Sequence, residues 1–371
     1  MKRVGGCFEP LMQRDLLLEA TMRASAGKHD RSEVRLFLEN LNLELRRLAG
    51  ELQHEELQLG PYRPLDIVDG KPRRIHVPPF RDRVVHQAMA MVLGPVLARS
   101  ALPTSMAGRK GRGHRLALVL AQQQTRNHAW FLKGDVRTFY ARISHQHIRQ
   151  QLVRRFRERR VLRLLDTLLA SFSSTPGHGL PMGSLMSQLL ANAHLDPVDH
   201  LLAKHRFRAR MRYLDDFFLW HAEPHMLHRA RGLLEGSLQN LGLELKHGGI
   251  LNRTALGVPC LGFTVYPGTM RLDRAGKTRL NARLKYLHRQ FRHGDIDEQE
   301  LQARGTALMA WVRQAPGMAW RAALCQRLDS KIIYDVLKQG ERQELSPHAW
   351  RQRQEHGSEL PLSLPQQEAG G

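Results

Sequence analysis

The chain has 371 residues, with 57 Lys and Arg against 35 Asp and Glu, a formal charge of +22 and 42% apolar residues. That length supports two or three domains with a sizeable core. The charge points to a polyanionic partner, nucleic acid first and a membrane surface as the rival. No stretch approaches the ~18 uninterrupted apolar residues of a bilayer span. The start, Met1-Lys2-Arg3-Val4-Gly5-Gly6, lacks an apolar signal core, so a cytoplasmic protein without membrane attachment is expected. Cys7, Cys260 and Cys325 are odd in number and far apart, which fits neither a disulfide framework nor a zinc site, and the 20 histidines include no His-Glu-x-x-His.

Residues 8–59 read as helical, with Leu16–Leu18 opening an apolar patch and Val34, Phe37, Leu38, Leu41, Leu43, Leu45 and Leu48 recurring near a helical repeat. A polar breaker, 25–31, divides them, and Gly60-Pro61 with Pro64 ends the region. Asp66 to Lys71 reads as a strand entering a turn. The extended segment 71–79 then carries Lys71, Arg73 and Arg74. Clustered cations on a hairpin suit a phosphate clamp, and a solvated basic loop explains them equally well. A helix is expected over 81–97. The stretch Ala107-Gly108-Arg109-Lys110-Gly111-Arg112-Gly113 lets amides and charges approach a nucleic-acid backbone, although it is not a Walker loop. A helix over 114–124 follows.

Trp130 to Asp135 reads as a short strand ending in a carboxylate, with Phe139 and Tyr140 beyond it and a helix start near Ser144. A lone Asp at a strand end also serves as an ordinary cap or turn residue. An apolar helix spans 161–172 and a Ser/Thr/Pro/Gly loop 173–179. Gly179-Leu180-Pro181-Met182-Gly183-Ser184-Leu185-Met186-Ser187-Gln188 then leads into a helix to about His205. Gly183 permits close backbone approach, and Ser187 and Gln188 lie about a turn further on.

Met211-Arg212-Tyr213-Leu214-Asp215-Asp216-Phe217-Phe218-Leu219-Trp220 reads as a β-hairpin with Asp215 and Asp216 at its tip. Adjacent like charges repel unless a cation lies between them, which suggests a divalent metal. Taken alone, the pair is better explained as an ordinary solvated turn, because short motifs often match by chance. Helices are expected over 224–245, 281–293, 298–311 and 318–337, with a tight hairpin at 257–267. A polar tail follows, its last part, 358–371, expected to be disordered.

In this order the motifs resemble those of prokaryotic reverse transcriptases. Tyr213-Leu214-Asp215-Asp216 resembles the catalytic hairpin, Asp135 with Phe139 and Tyr140 the first palm motif, and 179–188 the motif supporting template and incoming nucleotide. Lys71 to Ile75 and Arg81 to His86 resemble the fingers, 109–114 the next fingers motif, and 257–267 with Gly262 the primer-grip hairpin. The closing Ser187-Gln188 and the string Gly257-Val258-Pro259-Cys260-Leu261-Gly262-Phe263 are similar to reverse transcriptases of diversity-generating retroelements, with Met182 and Ser184 departing from the usual residues.

The resemblance implies an α+β right-hand polymerase: an N-terminal helical extension (1–60), fingers and a palm whose antiparallel sheet carries the catalytic hairpin (61–267), a helical thumb (268–340) and a polar tail (341–371). It implies an RNA-directed DNA polymerase in which Asp135, Asp215 and Asp216 hold two Mg²⁺ ions, with Mn²⁺ as a substitute. Lys71, Arg73, Arg74, Phe139, Tyr140, Gly183, Ser187 and Gln188 would bind the nucleotide. Tyr140 would be the sugar gate, with Phe139 in the core. Arg109, Lys110, Arg112 and Gly262 would bind nucleic acid. Lys246 is either the proton donor to pyrophosphate or a plain surface lysine. Partners would be template RNA, the cDNA or primer strand, dNTPs and a small basic accessory protein oligomer. No maturase or endonuclease segment is expected after residue 340. The alternatives are an antiphage-defence enzyme, protein-primed or template-independent, an RNA-binding scaffold without activity, and an RNA-dependent RNA polymerase, against which the aromatic gate argues.

Overall fold

The computed structural model describes residues 2–69 and 71–312. The helix expected over 318–337 and the polar tail lie outside the described residues. The chain separates into two compact units, Met1–Gly268 and Thr269–Gly371.

In the first unit, three helices precede the first strand: α1 (Arg14–Ser25), α2 (Ser32–Glu39) and α3 (Leu41–His54). Leu45, Leu48 and Leu52 of α3 are buried at helical spacing, as the periodicity predicts. A left-handed Glu55 (φ 60°) closes that helix. Strands β1 (Arg63–Asp69) and β2 (Lys71–Val77) form an antiparallel hairpin, with Asp66 opposite Arg74 and Ile67 opposite Arg73. Helix α4 (Phe80–Leu97) packs on α1 and runs through the helical core. After a loop, α5 (His114–Asn127) leads into β3 (Trp130–Asp135). Next come α6 (Phe139–Arg142), α7 (His145–Arg155), α8 (Arg159–Ala170) and α9 (Leu185–Lys204). Ser144 caps α7, its Oγ accepting from the His147 N–H. Helix α8 buries Val161, Leu164, Leu165, Leu168 and Leu169 along one stripe.

The hairpin that carries Asp215 and Asp216 follows as β4 (Arg210–Tyr213) and β5 (Asp216–His221), then α10 (Pro224–Gln239), β6 (Ile250–Arg253), β7 (Val258–Cys260) and β8 (Phe263–Val265). The central sheet has the order β4-β5-β3-β6, antiparallel throughout. Strand β5 is buried on both faces, so it reads as a continuous apolar run without alternation. Phe217 and Leu219 join the main core with Leu227 and Leu234 of α10. Phe218 and Trp220 stack on the other face, where Trp220 Nε1 donates to Thr125 Oγ1 of α5 at 3.2 Å.

Three expectations are corrected. Helix α10 stops at Gln239 and not near Leu245, because Gly242 turns left-handed (φ 72°) and the Leu243 N–H folds back onto the Leu238 carbonyl. Residues 250–253 form a fourth strand that the sequence pattern did not reveal. Asp216 opens β5, so the tip of the hairpin is Leu214-Asp215.

The second unit holds β9 (Met270–Leu272), α11 (Arg274–His293) and α12 (Glu298–Val312). Asp273 caps α11, its Oδ1 accepting from the Gly276 N–H. Leu287, Ile296 and Leu301 form its small core, with Phe291 and Leu308 against it.

Candidate active site

Strand pairing brings the carboxylates together. Asp135 ends β3 and stands directly opposite Asp216 on β5, while Tyr213 pairs with Asp216 across the hairpin. Leu214 takes the left-handed conformation (φ 55°), the first central position of a II′-like turn where glycine is usual. For a leucine this costs about 1–2 kcal/mol, so neighbouring contacts must impose it. Asp215 is the second turn residue.

Burial pushes the Asp215 carboxyl up to about 6, with Asp216 and then Asp135 adding to the rise. Arg73, on β2, acts on Asp215 in the opposite sense, so the hairpin cation senses the site. Burial also raises Asp216, against the pull of Lys133, whose Nζ lies 3.4 Å from Asp216 Oδ1. Lys246 Nζ lies 3.8 Å from Asp135 Oδ2. Two lysines therefore compensate two of three mutually repelling carboxylates. Among the described residues no group of three or more His, Cys, Asp or Glu forms a ready metal cage. The donor set still suits Mg²⁺, which binds through one or two hard carboxylates and takes its other ligands from substrate phosphates and water.

Tyr140 is half-buried, edge-on to the fully packed Phe139 with ring centroids 5.4 Å apart. Burial first and the charge of Asp215 second raise its hydroxyl pKa. The Leu180 N–H donates to the Tyr140 carbonyl at 2.8 Å, tying the palm motif to the 179–188 loop. Gly183 has φ 103° and backs onto Ile75, and the His76 N–H donates to the Met182 carbonyl at 2.9 Å. The β1–β2 hairpin thus docks on this loop. Ser187 is buried in α9, and Gln188 is half-buried one residue later.

The basic residues divide. Arg74 forms a forked pair with Asp66 at 2.8 and 3.0 Å, whereas Arg73 is exposed. The Lys71 side chain lies outside the described residues. Arg109 Nη1 donates to the carbonyls of Leu102 (2.7 Å) and Ser105 (3.1 Å), so part of its guanidinium anchors its own loop. Lys110 is exposed and Arg112 half-buried. Leu261 and Gly262, both left-handed, turn β7 into β8. Helix α5 holds that hairpin through His114 Nε2 at 3.0 Å from the Leu261 carbonyl and Gln122 Nε2 donating to the Tyr266 carbonyl at 2.6 Å.

Two participants escaped the sequence reading. Lys133 sits two residues before Asp135, on the same strand face, and that spacing could have found it. Arg212 is 1% exposed and bonded to α9, and nothing in a strand-borne arginine signals burial.

A family model described as reverse transcriptase (RNA-dependent DNA polymerase) matches residues 66–264. Protein YkfC of Escherichia coli K12 is 28% identical over 187 residues, 45% of this chain and 49% of that protein. The putative COX1/OXI3 intron 1 protein of Saccharomyces cerevisiae is 28% identical over 167 residues, 43% of this chain and 20% of that protein. The nuclear intron maturase 1 of Arabidopsis thaliana is 30% identical over 103 residues, 27% of this chain and 14% of that protein. The chain thus spans about half or less of these relatives. Among solved structures, a partial Cas6-RT-Cas1–Cas2 complex is similar at 23% identity and TM-score 0.40, over 63% of this chain and 41% of that one. Apo telomerase from Candida tropicalis is similar at 11% identity and TM-score 0.46, over 68% and 57%.

Proposed function

The chain belongs to the reverse transcriptase (RNA-dependent DNA polymerase) family, with its right-hand polymerase fold, and we propose that it synthesises cDNA on an RNA template by nucleotidyl transfer at Asp135, Asp215 and Asp216. The observation that carries this reading is the opposition of Asp135 and Asp216 across β3 and β5, with the raised Asp215 carboxyl in the adjoining turn. Bound there, Mg²⁺ ions supply Lewis acidity toward the primer 3′-hydroxyl and neutralise triphosphate charge. The protein's own part is positioning and charge, since phosphoryl transfer asks little covalent chemistry of it.

Asp135 and Asp216 hold metal oxygen donors on adjacent strands, and Asp215 adds a third from the turn. Lys133 and Lys246 compensate the charge when no cation is present. Arg73 meets the triphosphate from the β1–β2 hairpin. Tyr140 walls the sugar position and crowds a ribose 2′-hydroxyl, while Phe139 supports it from the core. Gly183, with Ser187 and Gln188 beyond it, carries the template-side surface. Residues 61–267 act as fingers and palm, the helices from 268 as thumb, and the basic surfaces grip phosphates without reading sequence.

Within the family we place the chain with the diversity-generating group on Ser187-Gln188 and the 257–263 string. Error-prone copying and a small basic accessory protein belong to that placement.

Primer extension on a defined RNA with Mg²⁺ and dNTPs, with the products sequenced, tests both levels. Templated cDNA is expected, with errors concentrated at template adenines. Faithful cDNA would remove the diversity-generating placement alone. Absence of templated product would overturn the polymerase assignment.

A further inference from the structure

Arg212 precedes the catalytic-type turn and is 1% exposed. Its Nε donates to Asp199 Oδ2 at 2.8 Å, and its Nη2 to the Asn192 carbonyl at 3.2 Å and to Asp196 Oδ1 at 3.4 Å. The remaining nitrogen, Nη1, donates to Asn192 Oδ1 at 3.1 Å and to the Leu214 carbonyl at 3.2 Å. That carbonyl belongs to the peptide that leads into Asp215. Arg212 is also held through its backbone, since its N–H donates to the Thr104 carbonyl and its carbonyl accepts from the Met106 N–H, both at 2.9 Å.

We infer that Arg212 is a positioning residue for nucleotidyl transfer: clamped on α9, its guanidinium fixes the Leu214 carbonyl and so the orientation of the turn that presents Asp215. The inference rests on the reading of Asp135, Asp215 and Asp216 as the metal-binding carboxylates. Two observations and one general argument carry it. Leu214 occupies a backbone region unfavourable to leucine, so something outside the turn must impose it. Buried arginine–carboxylate pairs add little stability over well-packed apolar residues, so stability alone does not account for the cluster. Asn192 donates from Nδ2 to the Ala107 carbonyl at 3.0 Å, so the residue that grips Arg212 also holds the start of the basic 107–113 loop. One clamp thereby serves both the turn and the nucleic-acid side.

The test uses the full chain with Arg212→Lys, Asn192→Ala and Asp215→Asn. Thermal midpoints report folding, single-turnover dNTP addition the rate, and electron paramagnetic resonance the direct binding of Mn²⁺. Arg212→Lys keeps the charge and loses the fork. In folded Arg212→Lys the addition rate should fall about a hundredfold, as for misplacement on the ångström scale. Mn²⁺ binding should weaken about tenfold, as when a group that orients ligands is removed. The KM for dNTP should hold within about twofold, as expected when the loss falls on the transition state with ground-state binding intact. Asn192→Ala should move rate and Mn²⁺ affinity the same way by less, and it decides the matter if Arg212→Lys does not fold. Wild-type rate and Mn²⁺ affinity in the folded variants would overturn the inference, as would a loss of activity that only follows the loss of folded protein. If Asp215→Asn is inactive while both other variants are normal, only the role of Arg212 fails. If Asp215→Asn extends primers like wild type, the underlying reading fails.

Discussion

Asp135 and Asp216 face one another as a register pair on neighbouring strands, each with a lysine within 4 Å. The two lysines oppose the charges of Asp216 and Asp135, and on the metal-binding role proposed for the three carboxylates a cation would complete the balance. Asp215 carries most of the electrostatic cost, because burial and both neighbours oppose its charge. Asp215→Asn should therefore stabilise the metal-free protein by about 3 kcal/mol near pH 8, the order set by the rise of its pKa from 3.8 to about 6. The same variant should lose primer extension by more than about a hundredfold, since charge at the transition state is the main catalytic contribution. Urea melts in chelator, paired with extension assays, check both halves. Added Mg²⁺ should stabilise the wild type more than the variant.

The two adjacent aspartates were legible in the sequence as a repelling pair between strand formers, and Asp135 as a carboxylate at a strand end. Their convergence was not, because it depends on β3 and β5 pairing from 81 residues apart in the chain (Asp135 to Asp216). Helices α1 to α4 and α8 were expected from their apolar residues and α7 from a start near Ser144, whereas the short α6 (Phe139–Arg142) was not expected. Strand β6 did not, because its four residues are mostly exposed and only pairing with β3 makes them a strand. The buried Arg212 was equally hidden. A strand arginine reads as solvent-facing until Asp196 and Asp199, on a different element, supply its counter-charges.

Gly134 packs tightly against two leucine side chains. A Cβ there would lie 2.7 Å from Leu245 Cδ2 and 3.2 Å from Leu234 Cδ2. Gly134→Ala must displace the Leu245 side chain, which lies beyond α10, and press on Leu234 of α10 next to Asp135, which should cost about 1–3 kcal/mol, the usual range for overpacking. Denaturant titration measures it. Extension activity should drop with it even under conditions where the variant is fully folded, because Asp135 moves with the strand.

His194 is fully buried on α9, neither ring nitrogen has a hydrogen-bond partner among the described residues, and burial lowers its pKa to about 4. The unfolded chain takes up this proton first, near pH 6.5. The associated stability is fully present above pH 6.5 and is lost as pH falls toward 4. Comparing the wild type with His194→Leu cancels the opposite contributions of buried carboxyls such as Asp196, which burial raises. The variant should gain on the wild type by about 2 kcal/mol between pH 7 and pH 5. Melts across that range check it, and parallel curves for the two proteins would refute it.

Tyr140 rests edge-on against Phe139, and the charge of Asp215 contributes to raising its hydroxyl pKa. Tyr140→Ala should raise ribonucleotide incorporation relative to deoxynucleotide incorporation by about tenfold or more, by removing the steric penalty on the 2′-hydroxyl. Phe139→Ala should instead destabilise the fold by about 3–5 kcal/mol, the usual cost of deleting a buried phenylalanine. Competition assays with paired dNTP and rNTP separate the two residues.

The cations of the 107–113 loop should separate in the same manner. Arg109 is engaged with the carbonyls of Leu102 and Ser105, which fix the segment running beside β4, whereas Lys110 is exposed. A phosphate contact shows in the salt dependence of binding, because each neutralised phosphate releases counterions. Lys110→Ala and Arg112→Ala should each weaken RNA–DNA duplex binding and lower the slope of log affinity against log salt by about 1. Arg109→Ala should leave a smaller change in slope and a larger loss of thermal stability, because it removes a loop anchor whose carbonyl partners are partly buried. Filter binding across a salt series, together with melting curves, distinguishes the roles. Equal slopes for all three variants would mean that the Arg109 guanidinium leaves its carbonyls when nucleic acid binds.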